Sequence, residues 1–254
     1  MHAILERVYY VKLDGKFQEP PKPKSKSHVF KTLNNWFERM DKVARDHGKV
    51  PAVSDQSFLD RYAGAKRKIY EREVEWSKTH NLTTREGRVR IFTKDEYRKK
   101  GGAPRAIQPR SPRFNVRWGR YIQAVEELTY EGINKIFDPT GEFKTVAKGM
   151  NMQQRGDAIE RMWSSFNDPI AVGLDAARFD QHVSKPMLQW EHAIYKLWLD
   201  LGARDDLEPF DWLARMQLEN VGRYYGKDGK IKYTVDGARM SGDMNTSCGN
   251  INIM

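Results

Sequence analysis

Five consecutive apolar or small residues, Ile170-Ala171-Val172-Gly173-Leu174, follow Asp168-Pro169 and run directly into Asp175. A run this short and continuous predicts a strand buried on both faces, of the kind found at the centre of an α/β sheet. It also predicts where Asp175 stands: at the open end of that strand, its carboxylate fixed by buried backbone. Ser184-Lys185-Pro186 then predicts a helix opening, with Ser184 as its cap and Pro186 in its first turn, running to about Leu201.

Other elements read from local pattern. Residues 18–28 (QEPPKPKSKSH) predict an extended linker or surface loop, and ERVYYVKL before them is strand-like. From Val29 to Ala44, Phe30, Leu33, Trp36, Phe37, Met40 and Val43 recur at helical spacing. A second helix is predicted from Ser57 or Phe58 through Trp76, with an interruption at Gly64. Arg88–Thr93 alternates like a strand. Val116–Ile136 is predicted helical, with Tyr121, Val125, Leu128 and Ile136 in the core. Val221–Tyr225 and Ile231–Val235 flank GKDGK, a hairpin signal.

Composition limits the function classes. Mean hydropathy is −0.78, yet 7 Trp, 11 Tyr and 11 Phe can anchor a core. No apolar run approaches the ~18 residues of a membrane span, and no secretory signal opens the sequence. The single cysteine, Cys248, excludes an internal disulfide and fits a reducing compartment. Charge is uneven. Residues 1–150 carry 32 Lys and Arg against 19 Asp and Glu, and residues 151–254 carry 12 against 15. Arg85–Arg120 is densest, with 12 basic and 3 acidic side chains. A basic front half suits a polyanion and an acidic back half suits metal ions; solvated helix faces are the competing reading.

Asp175 opens DAARFD, and 66 residues after it Ser241 opens SGDMNTSCGN. Mg²⁺ takes hard oxygen ligands, usually one or two carboxylates completed by phosphates and water, so a strand-end Asp175 suits it. Asp180 needs another role or a turn in the chain: five extended residues cover roughly 16 Å, against a Mg–O bond of about 2.1 Å. Thr246 and Asn250, four apart, share a helix face. Ser241-Gly242 forms a turn before that helix, and Gly249 permits close packing.

Together and in this order, the two strings resemble motifs A and B of the palm of viral RNA-dependent RNA polymerases, in their tombusvirus-like form. Lys94–Val116 (KDEYRKKGGAPRAIQPRSPRFNV) resembles the basic motif F of their fingers. YAGAKRKIY, RYIQAVEELTY and VAKGMNMQQRGDAI extend the resemblance over most of residues 50–254. The Gly-Asp-Asp hairpin of that family would follow Asn250, and no GDD occurs in the 254 residues.

The resemblance implies an α/β (α+β) right-hand polymerase whose fingers interleave with an incomplete palm, thumb absent. It divides the chain into fingers at 1–142, palm with motif A at 143–181, fingers at 182–245, and a palm helix at 246–254. It implies synthesis of RNA on an RNA template from ribonucleoside triphosphates with Mg²⁺ or Mn²⁺, by a longer chain of which this part is inactive alone. Asp175 would bind metal. Asp180 and Asn250, helped by Ser241 and Thr246, would meet the ribose, where a 2′-hydroxyl that donates and accepts distinguishes RNA from DNA. Arg105, with Lys94 and Lys100, would hold triphosphate, and Arg110 and Arg113 would contact RNA. Template and nascent RNA are the implied partners, with a viral auxiliary replicase protein and the host membrane in a cytoplasmic replication complex. Two other readings stay open: a non-catalytic RNA-binding truncated replicase product, and a basic structural protein.

Overall fold

The computed structural model describes residues 1–97, 100–202, 208–226 and 229–254. It is a mixed helix-and-sheet fold organised around one long helix. After α1 (His2–Ile4) and a π-helical turn at Leu5–Tyr9, β1 (Val11–Leu13) pairs antiparallel with β2 (Lys16–Gln18). The strand-like reading of ERVYYVKL therefore holds only from Val11. Residues before it coil because a helical turn lets Ile4 and Val8 reach a common core with Ile91 and Tyr233.

Helices α2 (Val29–His47), α3 (Asp55–Asp60) and α4 (Gly64–Ser77) follow. Ser54 caps α3 by accepting from Ser57 N at 3.0 Å. The predicted second helix is broken before Gly64, whose φ of 59° lies in the left-handed region that glycine reaches without a Cβ penalty. RVRIFT is divided between two sheets. β3 (Val89–Arg90) and β4 (Phe92–Thr93) flank Ile91, and β4 pairs antiparallel with β5 (Ala106–Ile107).

The central helix α5 (Pro112–Phe137) opens with Ser111 as cap and Pro112 in its first turn. Its Trp118, Tyr121, Ile122 and Val125 pack with Trp190, Ile194, Tyr195 and Trp198 of α8 (Lys185–Trp198) and with Phe210 and Leu213 of α9 (Phe210–Leu218). Between them lie α6 (Met152–Ser164), started by a capping box of Asn151 and Gln154, and the short α7 (Phe179–His182). Ser184 caps α8 as predicted, accepting from Met187 N. The hairpin of β6 (Glu219–Gly226) and β7 (Gly229–Asp236) also forms as predicted, and β3 joins it parallel to β6 in the order β3-β6-β7. The last element is α10 (Thr246–Ile253).

The buried strand at Ile170–Leu174 does not form. The segment has no regular secondary structure, and Ile170, Val172 and Leu174 are 83, 76 and 87% exposed. A strand apolar on both faces needs a neighbour on each side to pair its backbone and cover its side chains. Among the described residues no strand lies beside it.

Candidate nucleotide site

Asp180 lies on α7, just past Arg178, whose φ of 54° turns the chain after Asp175. Glu6 holds that turn through an ion pair with Arg178 at 2.9 Å. The segment before Ser241 runs alongside: Ala238 N donates to Val183 O at 2.7 Å and Arg239 N to Asp180 O at 2.8 Å. This pairing brings motif-like segments distant in sequence to one carboxylate. Asp180 Oδ1 accepts from Asn250 Nδ2 at 3.1 Å, and its Oδ2 accepts from the Ser241 hydroxyl. Three of the residues singled out from sequence therefore meet.

A buried polar chain, largely unforeseen from sequence, holds this cluster from behind. Arg239 Nε donates to Asn250 Oδ1 at 3.0 Å, while its terminal nitrogens donate to both oxygens of Glu191. Both side chains are almost fully buried. Burial alone would raise the Glu191 pKa, but the adjacent guanidinium and its hydrogen bonds hold it below the usual carboxylate range. Glu191 also accepts from Tyr195 at 2.6 Å and Asn245 at 2.7 Å. Asn245 accepts from Trp118 and Gln217, and Gln217 donates to Asp243 at 2.9 Å. Gly249 leaves room for this ion pair. A Cβ there would lie 2.3 Å from Glu191 Oε1 and 2.4 Å from an Arg239 terminal nitrogen.

The buried network ends on Arg110, which differs from the RNA contact that the resemblance implies. Arg110 was expected to contact RNA, but its side chain is 0% exposed. It donates to Asp243, to Asn220 at 2.5 Å, to Met216 O at 2.9 Å and to Gly87 O, five bonds for five N–H groups. Nothing of it remains to reach a phosphate. Arg113 is half-exposed, bound to Glu73 at 2.7 Å and lying 4.0 Å from the Trp76 ring centroid. Lys94 and Arg105 come together on Glu96, at 2.9 and 3.5 Å, both exposed. Lys100 is exposed. Arg98 and Lys99 of the motif F-like segment lie outside the described residues.

The Thr246 hydroxyl is bonded to Asp243 O at 2.8 Å and Met240 O at 3.2 Å, so it braces the loop before α10. Asp175 is exposed in irregular chain. Among the described residues no group of three His, Cys, Asp or Glu could hold a metal ion. One signal for the unforeseen residues was present. Glu191 occupies the stripe Met187, Leu188, Glu191, Ile194, Tyr195, Trp198, a charge at a core position of an otherwise apolar face.

Comparison with known proteins fits this arrangement. The family described as Viral RNA dependent RNA polymerase matches residues 1–254. The chain is 36% identical over 256 residues to the RNA-directed RNA polymerase of Tobacco necrosis virus (strain D), covering 99% of this chain and 34% of that protein. It is 41% identical over 252 residues to that of Melon necrotic spot virus, covering 98% and 30%. Against that of Carnation mottle virus it is 36% identical over 252 residues, covering 98% and 31%. This chain belongs to the viral RNA-dependent RNA polymerase family. It spans about a third of the length of the curated relatives it matches.

Proposed function

We propose that these residues form the fingers and first palm part of an RNA-directed RNA polymerase that copies a positive-strand viral RNA from ribonucleoside triphosphates. The carrying observation is the Asp180 carboxylate, hydrogen-bonded by Ser241 and Asn250 from the two ends of one distant segment. A half-buried carboxylate and amide in contact offer acceptors and a donor to one ribose 2′-hydroxyl, which a deoxyribose lacks. Asp180 and Asn250 are the ribose-selecting pair in this reading, and Ser241 orients the carboxylate. The boundaries 1–142, 143–181, 182–245 and 246–254 divide fingers from palm.

Lys94, Lys100 and Arg105 hold the triphosphate, with Glu96 as the stand-in partner that already gathers two of them. Arg113, half-exposed on Trp76, remains a candidate RNA contact. Asp175 is an exposed hard oxygen donor that suits Mg²⁺ or Mn²⁺, with phosphates and residues outside these 254 completing the set. When bound, such ions stabilise the attacking and leaving oxygens of an in-line displacement at the α-phosphate. No helix among the described residues is long and apolar enough to cross a membrane; attachment to a host membrane, and any auxiliary viral protein, would act through other segments or partners.

The test uses the full-length polymerase carrying this chain. Asp175→Ala should abolish RNA synthesis while leaving RNA affinity near wild type. Retained synthesis, or equal loss of RNA binding, would reject the metal role.

A further inference from the structure

The sheet β3-β6-β7 has one buried and one open face; the open face carries Glu219 opposite Asp236 at one end and, two rows further along, a row of cations without a carboxylate partner among the described residues. Asn220, Gly222 and Tyr233 turn inward, whereas Tyr225, Lys230, Lys232 and Thr234 are exposed and Arg223 is half-buried. In register, Arg90 pairs with Arg223, and Arg223 with Lys232, so three cations cross three strands in one row. Tyr225 and Lys230 form the next row on the same face. Like charges directly opposite one another in a sheet are destabilising. Among the described residues none of these four cations has a carboxylate partner.

An aromatic ring lies among them. Tyr225 is 47% exposed. The Arg90 and Lys230 charges each lie 5.8 Å from its centroid, and Arg223 donates to its hydroxyl at 3.4 Å. The face continues from Arg223 to Val221, which lines a cavity of about 300 Å³ with Trp212, Met216, Arg88, Arg215 and the carboxylate of Glu219. From Val221 to Tyr225 the strand rises about 13 Å, the span of roughly two stacked-out nucleotides.

We propose that this face is a docking surface for single-stranded RNA, with Tyr225 as a base-stacking platform and Arg90, Arg223, Lys230 and Lys232 on the backbone. Unpaired cations in a row lose their mutual repulsion when phosphates lie between them. An exposed ring among them adds what a merely anionic partner would not use: a flat surface for a base. Duplex RNA would bury its bases and gain only the charge contacts, and an anionic membrane likewise. The site is separate from the Asp180 cluster in its residues and shares with the proposed function only the choice of RNA.

Fluorescence anisotropy on the whole chain tests it, with labelled oligouridylate and a mixed-sequence single strand of equal length. Tyr225→Ala should weaken both by roughly 5- to 150-fold, and Tyr225→Phe should restore most of that loss. Arg223→Gln with Lys232→Gln should make the slope of log K against log salt shallower by up to about 1.4, at about 0.7 per phosphate. Lys42→Gln with Lys135→Gln, the same charge change on exposed positions of α2 and α5, should have a smaller effect. Circular dichroism confirms folding of each variant. Equal affinity of Tyr225→Ala and wild type, or equal loss in the control pair, overturns the proposal while leaving the polymerase reading intact. So does a Tyr225→Ala defect on phosphatidylserine vesicles as large as that on RNA. A wild-type chain that binds neither RNA would count against both.

Discussion

Arg239 fixes the orientation of the Asn250 amide. Its Nε donates to Asn250 Oδ1 at 3.0 Å, and Asn250 Nδ2 then faces Asp180 Oδ1 at 3.1 Å. A guanidinium has no acceptor and a carboxylate accepts, so only one amide orientation satisfies both neighbours. Glu191 fixes Arg239 in turn through both carboxylate oxygens. The Asp180–Asn250 pair, proposed above to meet the ribose, is thus set by a buried ion pair behind it.

This relation predicts a selective defect. In the full-length polymerase, Arg239→Lys keeps a cation beside Glu191 but loses the planar fork that serves Glu191 and Asn250 together. The ratio of kcat/KM for a ribonucleotide to that for its 2′-deoxy analogue should fall, on the order of the 10- to 150-fold that a charged hydrogen bond of about 1.5–3 kcal/mol supports. Asn250→Ala should lower it at least as much. Single-nucleotide incorporation kinetics decide between outcomes. If Asn250→Ala changes the ratio and Arg239→Lys lowers both rates equally, Arg239 is only a folding element; if neither changes it, the ribose assignment fails.

Arg110 should matter for stability and not for RNA affinity. Removing it leaves Asp243 buried without its cation, a change that costs about 3–5 kcal/mol in comparable buried pairs. Urea unfolding of Arg110→Ala should show that loss. At temperatures where the variant stays folded, its salt dependence of RNA binding should match wild type. A normal unfolding midpoint with a shallower salt slope would return Arg110 to the RNA path.

What could be read from sequence was mostly local. Ser184 and Pro186 announce a helix start through a cap that acts within three residues, and GKDGK announces the hairpin between alternating runs, whereas α5 starts at Pro112, four residues ahead of the Val116 read from pattern. The meeting of Asp180, Ser241 and Asn250 was legible only through the resemblance of two spaced motifs. Arg110 was misread because charge composition cannot tell a solvated guanidinium from one whose partners, Asp243 and Asn220, lie 133 and 110 residues away. Helix phase places Thr246 on the face of Asn250 but does not say which loop carbonyls will claim its hydroxyl. Glu191 and Arg239 gave too little signal because each makes sense only with the other.

The buried network also predicts acid sensitivity. Burial pushes the His192 pKa below its ordinary 6.5, against the pull of Glu191 and the Gln217 hydrogen bond. The unfolded chain therefore takes up a proton at this position before the folded one does, so stability is full above about pH 6.5 and declines as pH falls below it. Glu191, held below its ordinary 4.5, adds a second decline in the same direction at lower pH. Chemical denaturation across this range should show both. His192→Asn should flatten the first decline and leave the second; a wild-type stability that rises on acidification between these two values would contradict the assignment.

The exposed segment Ile170–Leu174 supplies the last prediction. Three large apolar side chains in water are an unusual concentration beside a carboxylate proposed to hold metal. If the segment is a palm strand completed by residues outside these 254, its burial depends on their presence. Leu174→Ala in the 254-residue chain should then change stability by no more than about 0.5 kcal/mol, as exposed substitutions do. In the full-length polymerase the same change should cost about 2–5 kcal/mol, the range for emptying a buried leucine site. Backbone amides of 170–174 should exchange quickly in the first protein and slowly in the second, because a paired strand protects what an open one does not. Equal exchange in both would mean that Asp175 is not carried on a sheet, and its metal role would then need another means of holding the carboxylate in place.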